Sequence, residues 1–264
     1  WSPSNSGNED ETYLNYSMEM ALSNSVNTVA VKVLEKTGIE NVIAQAKRMG
    51  IISKLPKQPS LALGTGEIYV NELAGAYASF VNNGKAVLPY LIETITDQKD
   101  SVLAQFEPKM MKKSAFTKKT GQIMLEMMRS TIDQGTASRI RSTYNLKNDL
   151  AGKTGTTQNN KDAWFVALTP NLVHVSWVGL DNHEIGFNST RLGQGANAAL
   201  PLFALWYQKL NRDPQFKAMT NDRFPESDPT VLGLMDCDPI KRDGFFKRLF
   251  KNPNKKQAKK FRTH

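Results

Sequence analysis

Ala151-Gly152-Lys153-Thr154-Gly155-Thr156-Thr157 leaves an apolar position at Leu150, passes a polar turn from Gln158 to Lys161, and re-enters apolar sequence at Asp162-Ala163-Trp164-Phe165. Short β-prone runs bounded by turn residues read as antiparallel strands. Three are predicted in succession, near Leu150 to Thr154, Ala163 to Leu168 and Leu172 to Gly179, the last two joined by a tight Thr169-Pro170-Asn171 turn. Outward from this meander the pattern turns helical. Tyr13 to Leu22, Val26 to Lys36 and Ile39 to Met49 carry helical apolar spacing, with Gly38 and Gly50 at the expected stops. Leu73, Ala74, Tyr77, Phe80 and Val81 share one face of a further helix, Thr117 to Asp133 forms a Met-rich one, and Ala196 to Leu210 closes the folded part. Leu91 to Thr96 and Ser101 to Phe106 read as short strands around an Asp97 to Asp100 turn. Helices first, then an antiparallel meander with a covering helix, predict an α+β domain rather than a parallel βαβ array.

The chain has 264 residues, 40% of them hydrophobic, enough for one sizeable core. Its formal charge of +9 is misleading. Residues 241–264 hold ten Lys or Arg and one Asp, and the remaining 240 residues balance at 24 of each sign. The basic character therefore belongs to the C-terminal segment Lys241 to His264, which reads as a solvated, disordered tail. Such a tail suits anionic lipid or wall polymer through counterion release, whereas its four interleaved Phe residues give no nucleic-acid fold. We divide the chain into a folded domain over 1–220 and an extension over 221–264. The single Cys237 excludes an intramolecular disulfide framework and a Cys-based metal cluster. There is no run of eighteen apolar residues, and Trp1 opens neither on an initiator Met nor on a signal-like start, so the N-terminus is expected to be truncated or processed.

Chemistry-bearing tripeptides are ambiguous singly. Lys-Thr-Gly occurs three times, and Lys36-Thr37-Gly38 and Lys119-Thr120-Gly121 are expected to be helix punctuation. Lys153-Thr154-Gly155 differs because it ends a strand, where ammonium, hydroxyl and backbone N–H line one side of a cleft. Ser-x-Asn occurs twice, as Ser6-Gly7-Asn8 and Ser25-Val26-Asn27. Ser25 stands at a helix junction and reads equally as an N-cap for Val26 to Lys36 or as a catalytic hydroxyl. Gly193-x-Gly195-x-x-Ala198 matches a dinucleotide fingerprint by letter, but no convincing strand precedes it. His174 and His183 lack ligand spacing with any Cys, so neither metal nor cofactor is expected; His174 is expected on a strand face.

Seven blocks in order resemble the transpeptidase domain of class A penicillin-binding proteins. They are Trp1-x-Pro3-x-Asn5, Ala21-Leu22 with Ser25-Val26-Asn27-Thr28, Leu63-Gly64 leading to Leu73-Ala74-x-Ala76-Tyr77 and Asn82-x-Gly84, Gly135-Thr136-Ala137, Gly152-Lys153-Thr154-Gly155-Thr156-Thr157, Asp162-x-Trp164-Phe165-Val166, and Thr169-Pro170 with Trp177-Val178-Gly179-x-Asp181. The resemblance implies a serine β-lactamase-like fold, an antiparallel sheet flanked by helices, N-terminally truncated. It also implies that Ser25 relays a proton to or from the leaving group, that Asn27 hydrogen-bonds the substrate backbone and that Lys153 holds Ser25 electrostatically. Thr154 and Thr156 would bind a terminal carboxylate, with Gly155 and Thr157 lining the same edge, and the Thr156 N–H would be one oxyanion donor.

The family's nucleophile lies in a Ser-x-x-Lys element, and no serine here has Lys three residues later. The expected partners are peptidoglycan stem peptides, β-lactams and the missing N-terminal part of the same domain. The resemblance further implies a cell-envelope location, with a membrane anchor and a glycan-polymerising domain elsewhere in the parent protein. This chain alone is expected to be inactive. The alternatives are a non-catalytic substrate-recognising relative, a D,D-carboxypeptidase or a β-lactamase.

Overall fold

The structure, a computed structural model, describes residues 3, 5, 16–157, 160–182 and 184–237. Trp1, the Ser6-Gly7-Asn8 tripeptide, the first residues of the helix predicted from Tyr13, part of the Gln158 to Lys161 turn, His183 and the basic tail lie outside the described residues. The helices α1 (Met18–Ser23), α2 (Asn27–Thr37), α3 (Ile39–Arg48) and α4 (Val70–Ala78) come first. Short strands β1 (Val87–Leu88), β2 (Thr94–Thr96), β3 (Val102–Gln105) and β4 (Lys109–Met110) follow, then α5 (Lys118–Asp133) and α6 (Arg139–Ser142). The meander is β5 (Ala151–Thr156), β6 (Ala163–Leu168) and β7 (Val173–Val178). It is succeeded by α7 (Thr190–Gly193), α8 (Gly195–Ala198), α9 (Leu200–Arg212), α10 (Lys217–Asn221) and α11 (Pro229–Met235).

The meander forms one antiparallel sheet of order β5-β6-β7, pairing Lys153 with Val166 and Val166 with Val175. Five of the six β6 residues are buried, which explains why Ala163 to Leu168 is continuously apolar instead of alternating. Phe165 packs on Phe203 of α9 with ring centroids 5.8 Å apart. Ala151 and Leu168 share a cluster with Leu125 and Met128 of α5. Helices thus cover both faces of the sheet, the arrangement expected from the helix-first order.

Two sequence expectations need amendment. The helix predicted over Ala196 to Leu210 is broken at Ala199, because Pro201 offers no N–H and its ring crowds the carbonyl four residues back. The pairing of β1 with β4 was not anticipated, since two residues a side carry no period. The other Lys-Thr-Gly tripeptides behave as punctuation: Thr37 ends α2 before Gly38 at φ 87°, and Gly121 lies in α5 behind the capping Thr117. Residues 221–237 lie against the body, with Phe224 N–H donating to Asp149 Oδ2 at 3.0 Å and Val231 fully buried. Among the described residues no helix is long and apolar enough to cross a membrane.

Candidate active site

Ser25 reaches the site because of how α1 stops. Its N–H donates to Leu22 O at 3.1 Å and the Val26 N–H to Ala21 O at 2.9 Å, the paired closure that leaves one residue in the left-handed region. That residue is Ser25, at φ 56°. Glycine occupies such a position freely, whereas a side chain there costs about 1 kcal/mol. The N-cap reading of Ser25 does not hold: Val26 is the N-cap of α2 and makes no side-chain cap. The α2 amide at Thr28 is instead taken by Asn5 Oδ1 at 3.0 Å, a cap supplied from 23 residues upstream. The Ser25 hydroxyl remains exposed and accepts a hydrogen bond from Lys153 Nζ at 2.9 Å, across 128 residues of sequence.

Lys153 lies in β5 opposite Val166 and donates a second hydrogen bond, to Thr154 O at 2.9 Å. Burial pulls its pKa from 10.5 down to about 8, since the charged form loses hydration that the two contacts only partly replace. A lysine so tuned changes its charge within reach of neutral pH while touching a hydroxyl, which is what proton relay requires.

The strand register orients the remaining groups. Thr157 N–H donates to Asp162 O at 3.0 Å, so by antiparallel alternation the Gly155 and Lys153 backbones pair inward with β6. The N–H groups of Thr154 and Thr156 therefore face the open edge of β5. Thr154 Oγ1 lies 2.6 Å from Thr136 Oγ1. Thr156 Oγ1 accepts from Gly195 N–H at 3.0 Å, which leaves its own hydrogen free to donate. Gly155 lies under the start of α8, where a Cβ on Gly195 would sit 2.4 Å from Gly155 O and 2.3 Å from Trp164 O. Gly195 thus serves close packing of α8 on the β5-β6 pair, while Gly193, at the end of α7, packs against Asn160 and Phe187.

Thr157 is turned elsewhere. Its hydroxyl accepts from Asp162 N–H at 2.8 Å and lies 3.2 Å from Asp162 Oδ2, while Asp162 Oδ1 accepts from Trp177 Nε1 at 2.9 Å. The side chain is held in the turn rather than at the open edge. Asn27 opens α2 two residues after Ser25. The structure therefore brings Ser25, Lys153 and Thr154 together, sets Gly155 and Thr156 along the same edge, and leaves Thr157 to shape the turn. Asn5, Thr136, Asp162 and Gly195 were not singled out as site residues. The first three lie in the blocks that carry the family resemblance and Gly195 in the Gly193-x-Gly195 pattern, but their roles stayed hidden because each acts through a contact made only by the fold. His174 is in β7 as expected, its ring 5.4 Å from that of Trp206, and burial pushes its pKa down.

The family model described as penicillin binding protein transpeptidase domain matches residues 1–199. Penicillin-binding protein 1A of Aquifex aeolicus is 34% identical over 213 residues, covering 80% of this chain and 28% of that relative. Its counterpart in Neisseria meningitidis serogroup B is 32% identical over 230 residues, covering 86% and 28%. Among solved structures, penicillin-binding protein 1A from Haemophilus influenzae aligns with a TM-score of 0.67 at 24% identity, over 80% of this chain and 36% of that one. PonA1 from Mycobacterium tuberculosis aligns with a TM-score of 0.61 at 25% identity, over 80% and 59%. The chain spans about 28% of the length of these curated relatives. With three quarters of its length inside the family model and its sheet, helices and Ser25–Lys153 contact arranged as above, the chain belongs to the penicillin-binding protein transpeptidase family.

Proposed function

We propose that this chain forms the substrate-holding wall of a peptidoglycan D,D-transpeptidase site whose nucleophile is encoded upstream of Trp1. The observation that carries the reading is the 2.9 Å contact from Lys153 Nζ to Ser25 Oγ, made between residues 128 positions apart. In this reading Ser25 relays a proton to or from the leaving amine, with Lys153 holding Ser25 electrostatically. Asn27 holds the backbone amide of the stem peptide. Thr154 and Thr156 hold the terminal carboxylate, and the outward N–H of Thr156 is one donor of the oxyanion hole. Gly155 lets the strand lie close against Trp164, whose Cβ would be 3.0 Å from an added Cβ, and Thr157 keeps the turn, and so Thr156, in place. A β-lactam occupies the same edge through its own carboxylate. The parent protein works at the cell envelope, carries a membrane anchor and a glycosyltransferase outside this chain, and uses the basic tail on anionic surfaces.

The test is labelling by a fluorescent penicillin, on this chain and on a version extended upstream through a Ser-x-x-Lys element. Labelling of the extended version alone supports the proposal, and there Lys153→Ala lowers the labelling rate by about 100- to 10,000-fold, the range for losing a proton-relay partner. Absence of labelling in both folded versions favours a non-catalytic, substrate-recognising relative.

A further inference from the structure

We propose that Thr136 is a positioning residue for carboxylate recognition: its hydroxyl donates to Thr154 Oγ1 and so turns the single Thr154 hydroxyl hydrogen toward the anion held at the β5 edge. The inference rests on the reading of that edge as the carboxylate site. The two Oγ1 atoms are 2.6 Å apart, and by geometry either can donate. A hydroxyl owns one hydrogen. Were Thr154 to spend its hydrogen on Thr136, it would present only lone pairs to a carboxylate, which is itself an acceptor. With an anion bound, one arrangement satisfies every group: Thr136 O–H to Thr154 Oγ1, and Thr154 O–H to the carboxylate. Hydroxyls in such a chain polarise one another, strengthening the bond to the charged end.

Thr136 is also fastened for the task. Its N–H donates to Ser23 O at 3.0 Å, and the next N–H, of the fully buried Ala137, donates to Thr131 O at 3.0 Å. Gly135 lies so close to the end of α1 that a Cβ would sit 2.3 Å from Ser23 O. The turn after α5 is thereby tied by backbone to the segment leading into Ser25 and by its one hydroxyl to β5. Thr136 spans both walls of the site.

Acylation of the upstream-extended chain by benzylpenicillin and by its methyl ester tests this, comparing wild type with Thr136→Val, Thr136→Ala and Thr136→Ser. Valine keeps the branched shape and the N–H to Ser23 O while deleting the hydroxyl. Loss of the bond between the two neutral hydroxyls, which orients Thr154 toward the anion, predicts about a fivefold fall in the second-order rate with benzylpenicillin, seen as weaker initial binding and not as a slower limiting rate. The ester should change by less than about twofold, and serine should restore the acid rate to within about threefold. Alanine should match valine if valine folds, and replaces it if valine does not. Equal losses toward acid and ester, or no loss, overturn the proposal. A wild-type chain acylated by neither compound overturns the transpeptidase reading first, an outcome visible before any substitution is made.

Discussion

Two of the antiparallel units among the described residues, the β5-β6-β7 sheet and the β2-β3 pair, are built from similar β-prone residues and end in opposite environments. In the β5-β6-β7 sheet, Phe165, Ala167 and Leu168 are fully buried between α5 and α9. In the β2-β3 pair, Ile95, Val102 and Leu103 are 42%, 60% and 66% exposed, and the register slips between Ile95 and Thr96. Register is strongly specified where a face is buried and weakly where both are wet. The site uses the first unit, because hydroxyls and N–H groups must be held to a fraction of an ångström to bind a carboxylate, and only a strand clamped on both faces offers that.

The largest break in this contrast is Phe165→Ala, expected to cost the chain about 3–5 kcal/mol of stability in urea unfolding. A loss below about 1 kcal/mol would mean the sheet is not the organising core. Gly195→Ala forces a methyl into the Gly155 and Trp164 carbonyls, and overpacking of this kind costs about 1–3 kcal/mol, readable in the same melts. Ser25→Gly should be more stable than Ser25→Ala by about 1 kcal/mol, since glycine relieves the left-handed backbone. Both should abolish penicillin labelling of the extended chain. A serine kept there against its own backbone preference is what a functional constraint looks like.

Lys153 sharpens the comparison through pH. Burial opposes its charge, so the penalty on folding is fully present below about 8, where folded and unfolded chains both carry the proton, and it fades as pH rises toward 10.5. The stability of wild type relative to Lys153→Met should therefore increase between those values. A flat difference would place the lysine in water. Smallest of all, Leu103→Ala in the exposed pair should change stability by no more than about 0.5 kcal/mol.

The meander, the helix order and the three Lys-Thr-Gly contexts were legible because each depends on local period and punctuation. Ala163 to Leu168 announced a doubly buried strand by being apolar throughout. The break at Ala199 was legible in principle, since Pro201 was in view, but apolar spacing on either side masked it. Ser25 was not decidable: a serine between two helices satisfies a capping rule and a catalytic rule equally. Its left-handed backbone, which separates them, comes from hydrogen bonds to Ala21 and Leu22 that take shape only when α1 ends.

By itself the sequence determined the three strands of the meander and the main helices before it, that the positive charge sits beyond residue 240, and that no Ser-x-x-Lys lies within these residues. Only the tertiary structure decided that Lys153 meets Ser25, that Asn5 caps α2, that Thr157 belongs to the turn and that Thr136 touches Thr154. The physical reason is range. Periodicity and turn chemistry act over a few residues, whereas a hydrogen bond between groups 128 positions apart exists only after burial of the intervening core has brought two backbones to a fixed separation.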